Sequence, residues 1–261
     1  MTSEIKINNS LEEHEVRESS NRQARKTWEN KTVGGHRSSA SNDTLEYFQQ
    51  MRDYRYGYET PFIVNTFNFS DLQGKRILEI GVGNGIDAVE MLSNGAIYTG
   101  IDITQNHLEL TKRFINFSFN KEEQERLLED VVEGDMLTVD LPGNYDVVYS
   151  FGVLHHIAHE ADFLNKIHSL LKPNGELRIA VYSKYSFFNI WMIVTWILKN
   201  RMKNLLTDWQ SNVAENSELG SPVVIKIRTR SEVEKMLKQA GFKVVKYECK
   251  GFVQGYLPII G

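Results

Sequence analysis

The chain has 261 residues, 41% hydrophobic and 25% charged, the make-up of an ordinary soluble globular protein with room for one sizeable α/β domain plus a cap, or for two small domains. A formal net charge of −4 argues against a broad electrostatic footprint for nucleic acid. The single cysteine, Cys249, excludes an intrachain disulfide or a cysteine zinc site, and fits a reducing, cytoplasmic setting with Cys249 as a small hydrophobe on a strand.

Met1 to Ser10 is polar and lacks the apolar core of a secretory signal. Residues 1 to about 27 are charged and poor in apolar side chains, which reads as a mixture of disordered leader and solvated helix. Thr27 to Ser41, with Trp28 among flexible residues, suits a loop that closes over a site. A helix is expected over Thr44 to Met51, followed by Tyr54, Tyr56 and Tyr58 at alternate positions, which either line a substrate cavity or pack the lid on the core. Residues 1–60 thus read as leader and lid.

Ile77, Leu78 and Ile80 form the short apolar run of a strand buried on both faces, and Ile86, Val89 and Leu92 recur at helical spacing. Between them lie Gly81, Gly83 and Gly85. This strand, glycine turn and helix is the place where an open α/β sheet offers a ligand crevice. The G-x-G-x-G spacing, with Glu79 two residues ahead, departs from the dinucleotide fingerprint, whose third glycine would fall at Ile86. Taken alone, the turn fits packing as well as binding.

A second strand, Ala96 to Ile101, ends at Asp102, where a nucleoside site places a carboxylate for ribose hydroxyls; Thr104 is expected to cap the helix that follows. Val131 to Glu133 is a third strand, leading to Gly134-Asp135-Met136. Tyr145 to Tyr149 is the fourth, running into Ser150-Phe151-Gly152 and on to His155 and His156. A helix through Phe163 and Leu171 is stopped by Lys172-Pro173-Asn174-Gly175, and Glu176 to Tyr182 is the fifth strand. Such alternation predicts a doubly wound, mostly parallel Rossmann-like sheet over residues 61–183. Phe187 to Leu206, with Trp191 and Trp196, breaks the rhythm, so residues 184–222 read as a helical cap inserted after the fifth strand. Its longest apolar stretch, Phe187 to Leu198, falls short of the roughly 20 residues a bilayer span needs, so no membrane partner is expected. Residues 223–261 would complete the sheet: a capping box at Ser231 to Glu234 opens a helix that ends at Gly241, and Phe242 to Cys249 makes a sixth strand.

With these pieces in order, Gly74 to Cys249 resembles the class I S-adenosylmethionine-dependent methyltransferases. The resemblance rests on Leu78 to Gly85, Asp102, Asp135-Met136, Ser150 to His156 and Leu171 to Gly175. It implies that Gly81, Gly83 and Gly85 cradle the methionine part of S-adenosylmethionine and that Glu79 helps hold its ammonium. It also implies Asp102 on the ribose with Ile103 beside the adenine, Asp135 and Met136 reading the adenine edge, and Ser150, Phe151 and Gly152 facing the methionine moiety and the acceptor. The product would be S-adenosylhomocysteine. The wording of the last two stretches is typical of members acting on small molecules. Two departures stand out: a seventh strand has only Phe252 to Ile260 to draw on, and the fourth strand lacks the Asp/Asn-Pro-Pro-aromatic signature of enzymes that methylate nucleic-acid bases.

The expected activity is therefore methyl transfer to an oxygen, nitrogen or carbon of a small molecule, for instance in specialised metabolism, with no metal and with a homodimer conceivable. His155 and His156 are the candidates for a general base, only one of the two being expected to face the crevice. Trp28, Tyr54, Tyr56, Tyr58 and Trp191 are the candidate acceptor contacts, suggesting an apolar or aromatic molecule. The alternatives are a cofactor-binding enzyme of lyase or cyclase type that transfers no methyl, and a non-catalytic partner subunit on the same scaffold.

Overall fold

The computed structural model describes residues 2–29, 38–186, 189–190, 194 and 225–250. Expectations that rest on Phe187, Phe188, Trp191, Trp196 and Phe252 to Ile260 lie outside those residues. Five strands form one sheet in the order β3-β2-β1-β4-β5: β1 Arg76–Ile80, β2 Ile97–Asp102, β3 Leu128–Glu133, β4 Tyr145–Phe151 and β5 Leu171–Ala180. Every pairing is parallel. The expected Rossmann-like sheet is thus present, all parallel over the described residues.

The period-two alternation of β1 divides two cores. Ile77 packs with Phe48 and Met51 of α2 (Leu45–Tyr54), with α4 (Ile86–Ser93), and with Leu108, Phe114 and Ile115 of α5 (Gln105–Ser118). Leu78 and Ile80 pack on the other face with Phe163, Leu164 and Ile167 of α7 (Glu160–Leu170), which α8 (Arg230–Gln239) flanks through Met236 and Leu237. Each such buried aliphatic side chain contributes about 1.5–3 kcal/mol. The chain goes from β1 outward to β2 and β3, then crosses back to β4 on the other side of β1. That reversal opens a crevice at the carboxyl ends of β1 and β4.

Four details differ from the sequence reading. The amino-terminal segment is one helix, α1 (Thr2–Glu29), rather than a partly disordered leader. Lys172 to Gly175 does not separate α7 from β5: Tyr145 pairs with Leu171 and Val147 already with Glu176, so these four residues bulge out of a ladder that continues on both sides. The capping box that opens α8 is Thr229 with Glu232, two residues before the one expected at Ser231. Phe242 to Cys249 forms no strand; Val245 and Cys249 are exposed, because the segment pairs with none of the described strands. Two short helical elements complete the fold: α3 (Ile63–Thr66), and α6 (Lys121–Leu127), which Asn120 and Glu123 close with a reciprocal cap. Among the described residues no helix is long and apolar enough to cross a membrane.

Candidate active site

The glycine turn divides its labour. Gly81 and Gly83 line the crevice, whereas Gly85 turns away from it. A Cβ on Gly85 would lie 2.8 Å from the Thr111 backbone, so this glycine lets α4 and α5 approach closely. Gly83 has φ +55° and nothing within 4 Å of where a Cβ would stand: its missing side chain is open space on the ligand side. Packing therefore accounts for Gly85, while Gly83 leaves its face open to the crevice.

Glu79 lines the same space and is buried, accepting a hydrogen bond from the Tyr98 hydroxyl at 2.5 Å. Burial, and then the neighbouring Asp87, push its carboxyl well above the usual range. Asp87 itself goes the other way. Burial raises it, but Arg55 and the hydroxyls of Tyr149 and Tyr56, each at 2.8 Å, outweigh burial and hold it low. The Arg55 guanidinium donates to both Asp87 oxygens, lies 3.5 Å from Glu59 and sits 5.0 Å from the centre of the Phe151 ring. Arg55 and Asp87 were not singled out from the sequence. The one available signal was an acid, Asp87, in a helix whose other first-turn residues are apolar.

Asp102, at the end of β2, accepts from the Thr104 backbone N–H (3.0 Å) and hydroxyl (2.9 Å) on Oδ1, and from the Gly83 N–H (3.3 Å) on Oδ2. Thr104 stands at the helix cap position as expected, yet its hydroxyl serves Asp102 instead of the helix. His107 Nδ1 lies 3.4 Å from Oδ2. Burial raises the Asp102 carboxyl, and His107 and Thr104 together bring it below its ordinary value. Ile103, Asp135 and Met136 line the crevice beyond. Asp135 Oδ1 accepts from the Leu137 N–H at 2.9 Å, and Oδ2 from the Asn21 side-chain amide at 2.8 Å, with Arg17 Nε 3.7 Å away. Helix α1 therefore lies across this end of the crevice.

The expected pair at the loop after β4 is split. His156 lines the crevice, with the Trp28 ring edge-on at 5.8 Å. His155 is buried beside Tyr182, ring centres 4.1 Å apart, and neither ring nitrogen has a hydrogen-bond partner. Burial, and secondarily His156, push its imidazole well below the usual value. The loop is stapled from outside: Lys226 Nζ donates to the carbonyls of Ile157 (2.9 Å) and Ala158 (2.7 Å), and the Lys226 N–H to the carbonyl of His155 at 2.8 Å. Of the other expected contacts, Phe151, Gly152, Trp28, Tyr54 and Tyr58 line the crevice. Ser150 turns inward to the Ile80 carbonyl (3.1 Å) and Tyr56 inward to Asp87, because each hydroxyl finds a buried partner there.

A family model described as a methyltransferase domain matches residues 48–247. Among characterised proteins, the chain is 27% identical over 180 residues to the ubiquinone biosynthesis O-methyltransferase of Neisseria meningitidis serogroup C, covering 67% of this chain and 66% of that protein. It is 32% identical over 111 residues to the mitochondrial ubiquinone biosynthesis O-methyltransferase of Schizosaccharomyces pombe, covering 42% of this chain and 39% of that one. The chain thus spans less than two thirds of the length of these relatives. Among solved structures, its fold is similar to that of magnesium protoporphyrin IX methyltransferase from Synechocystis PCC 6803 with bound SAH. There the TM-score is 0.55 at 14% identity, over 87% of this chain and 91% of that one.

Proposed function

The chain belongs to the methyltransferase-domain family, and we propose that it methylates a hydroxyl oxygen of a small, largely aromatic molecule with S-adenosylmethionine as methyl donor. The observation that carries this reading is the row of three carboxylates, Glu79, Asp102 and Asp135, at the ends of three neighbouring strands around the open face of Gly83.

The donor set fits the cofactor part by part. Glu79 meets the ammonium, and Arg55 offers its remaining N–H groups to the carboxylate. Asp102 takes the ribose, and Asp135, with the Met136 backbone, takes the adenine edge. When bound, S-adenosylmethionine supplies a methyl group already activated on a sulfonium. The protein's task is then to bind, orient, exclude water and manage one proton. His156, on the crevice side of the β4 loop, accepts the proton of the acceptor hydroxyl as its oxygen attacks. His155, dry and without hydrogen-bond partners, supports the loop. Trp28, Tyr54, Tyr58 and Phe151 supply flat apolar walls for an aromatic acceptor. The O-methyltransferase names of the relatives support oxygen as the methylated atom. The net charge of −4 supports a small molecule over nucleic acid. Residues 1–60 act as lid, with α1 over the adenine end.

Calorimetric titration with S-adenosylmethionine and S-adenosylhomocysteine, followed by a screen of phenolic acceptors for a mass gain of one methyl, tests this. Micromolar binding lost in Asp102→Ala, together with a methylated phenol, supports it. Absence of binding overturns the cofactor assignment, and binding with no methylated product from any acceptor overturns the transfer.

A further inference from the structure

Asp102 has less capacity for the cofactor ribose than its position suggests. An ionised carboxylate offers about four lone-pair sites. Two, on Oδ1, are filled by the backbone and hydroxyl of Thr104, while Oδ2 already faces the Gly83 N–H at 3.3 Å and His107 Nδ1 at 3.4 Å. A ribose brings two hydroxyls to be satisfied, and only the weakly engaged Oδ2 is left to receive them.

Beside it stands an unanswered group. His107, on the first turn of α5, is 3% exposed and lines the crevice next to Asp102. Its Nε2 is buried with no hydrogen-bond partner. Buried ring nitrogens of this kind are costly and call for an explanation, a ligand among them. The Trp28 ring of α1 lies 6.5 Å from the imidazole, centre to centre, on the same crevice.

We propose that His107 is a ribose-recognition residue, and that the ribose diol is shared between Asp102 Oδ2 and His107 Nε2. The proposal rests on the cofactor reading above. With Nδ1 turned to Asp102, Nε2 accepts a hydrogen bond in the neutral ring and donates one in the protonated ring. A hydroxyl satisfies either form, whereas an apolar or purely accepting neighbour does not. One diol thereby answers both the crowded carboxylate and the orphaned nitrogen.

The test compares dissociation constants for S-adenosylhomocysteine and its 2′-deoxy and 3′-deoxy analogues in the wild-type chain, in His107→Asn and in His107→Gln. The Asn amide reaches the place of Nδ1 and keeps the Asp102 contact without Nε2, while the longer Gln amide reaches toward the place of Nε2. Wild type should prefer the full diol over each deoxy analogue by about three- to tenfold. In His107→Asn the preference should fall to near unity for one hydroxyl and persist for the other, and His107→Gln should restore part of it. If both preferences persist in a folded His107→Asn protein, His107 does not touch the ribose and the proposal fails while the cofactor reading stands. If the substitutions weaken all three ligands equally, the role is structural and the proposal likewise fails. If wild type binds none of them, the cofactor reading itself falls and takes this one with it.

Discussion

The Tyr98 hydroxyl donates to Glu79 Oε2 across 2.5 Å, with both side chains buried and Glu79 at the crevice wall. Tyr98 draws the Glu79 carboxyl down, but burial and Asp87 leave it well above its ordinary value. The crevice wall that should meet a cation therefore holds its proton more tightly than an exposed glutamate would.

This sets the sign of a pH effect. On the proposed assignment the cofactor's ammonium pairs with the ionised form of Glu79, so the bound carboxyl should have a lower pKa than the free one. Affinity for S-adenosylhomocysteine should rise with pH through the raised Glu79 value and level off above it, with protons released on binding. 5′-Methylthioadenosine, which lacks the ammonium, should show no such dependence. Calorimetry with both ligands between about pH 5 and about pH 8, in buffers of different ionisation enthalpy, reads this directly. Equal pH profiles for the two ligands would remove Glu79 from the ammonium site.

Arg55→Ala should be the most damaging single change near the crevice. It leaves Asp87 buried among Tyr56, Tyr149 and the raised Glu79 without its cation, at a cost of about 3–5 kcal/mol. Asp87→Asn with Arg55→Ala should recover part of the loss. Because the folded Asp87 carboxyl lies below its unfolded value, its contribution is complete above the ordinary aspartate pKa and is lost as pH falls through the folded one. Urea melts of the single and double variants at neutral and acid pH would show this.

Two glycine substitutions should separate stability from binding. Gly85→Ala drives a methyl to 2.8 Å from the Thr111 backbone at φ +79°, and should lower stability by about 2–4 kcal/mol. Gly83→Ala at φ +55° meets no protein atom, should cost only about 1–2 kcal/mol in folding, and should weaken cofactor binding about tenfold or more. Thermal melts beside titrations distinguish the two patterns.

His156→Ala should reduce kcat/KM roughly 10²–10⁴-fold on a phenolic acceptor, with cofactor affinity nearly unchanged. His155→Phe should keep most of the activity, since a phenyl ring fills the same place beside Tyr182 without two unpartnered nitrogens. The reverse ranking would exchange their roles.

Much of the fold could be read in advance because its strands carry their own signature: Ile77, Leu78 and Ile80 are apolar because both faces of β1 are covered. Glu79 and Asp102 could be placed at the crevice for a related reason, each standing near the end of a strand that periodicity had already placed, while Asp135 came from the family resemblance alone. Arg55 and His107 could not be placed in this way. The significance of Arg55 comes from Asp87, 32 residues away, and that of His107 from the orphaned nitrogen it presents, neither of which leaves a mark on local sequence. Lys172-Pro173-Asn174-Gly175 misled because its turn chemistry is genuine: Asn174 has φ +65°, but the ladder resumes past it. The cap of α6 was present in Asn120 and Glu123 and went unread, in a helix of only seven residues.

Past β5, a parallel bridge joins Ser183 to Arg228, and the Lys184 N–H donates to the Arg228 carbonyl at 2.8 Å. Ser183 and Arg228 lie side by side there, at about the 4.8 Å spacing of neighbouring strands. The segment leading to Arg228 carries Lys226, whose grip on Ile157 and Ala158 keeps the β4 loop in place. The bridge and the Lys226 contacts thus couple the chain just past β5 to the loop that bears His156, so a substitution that loosens them should reach that histidine without touching it.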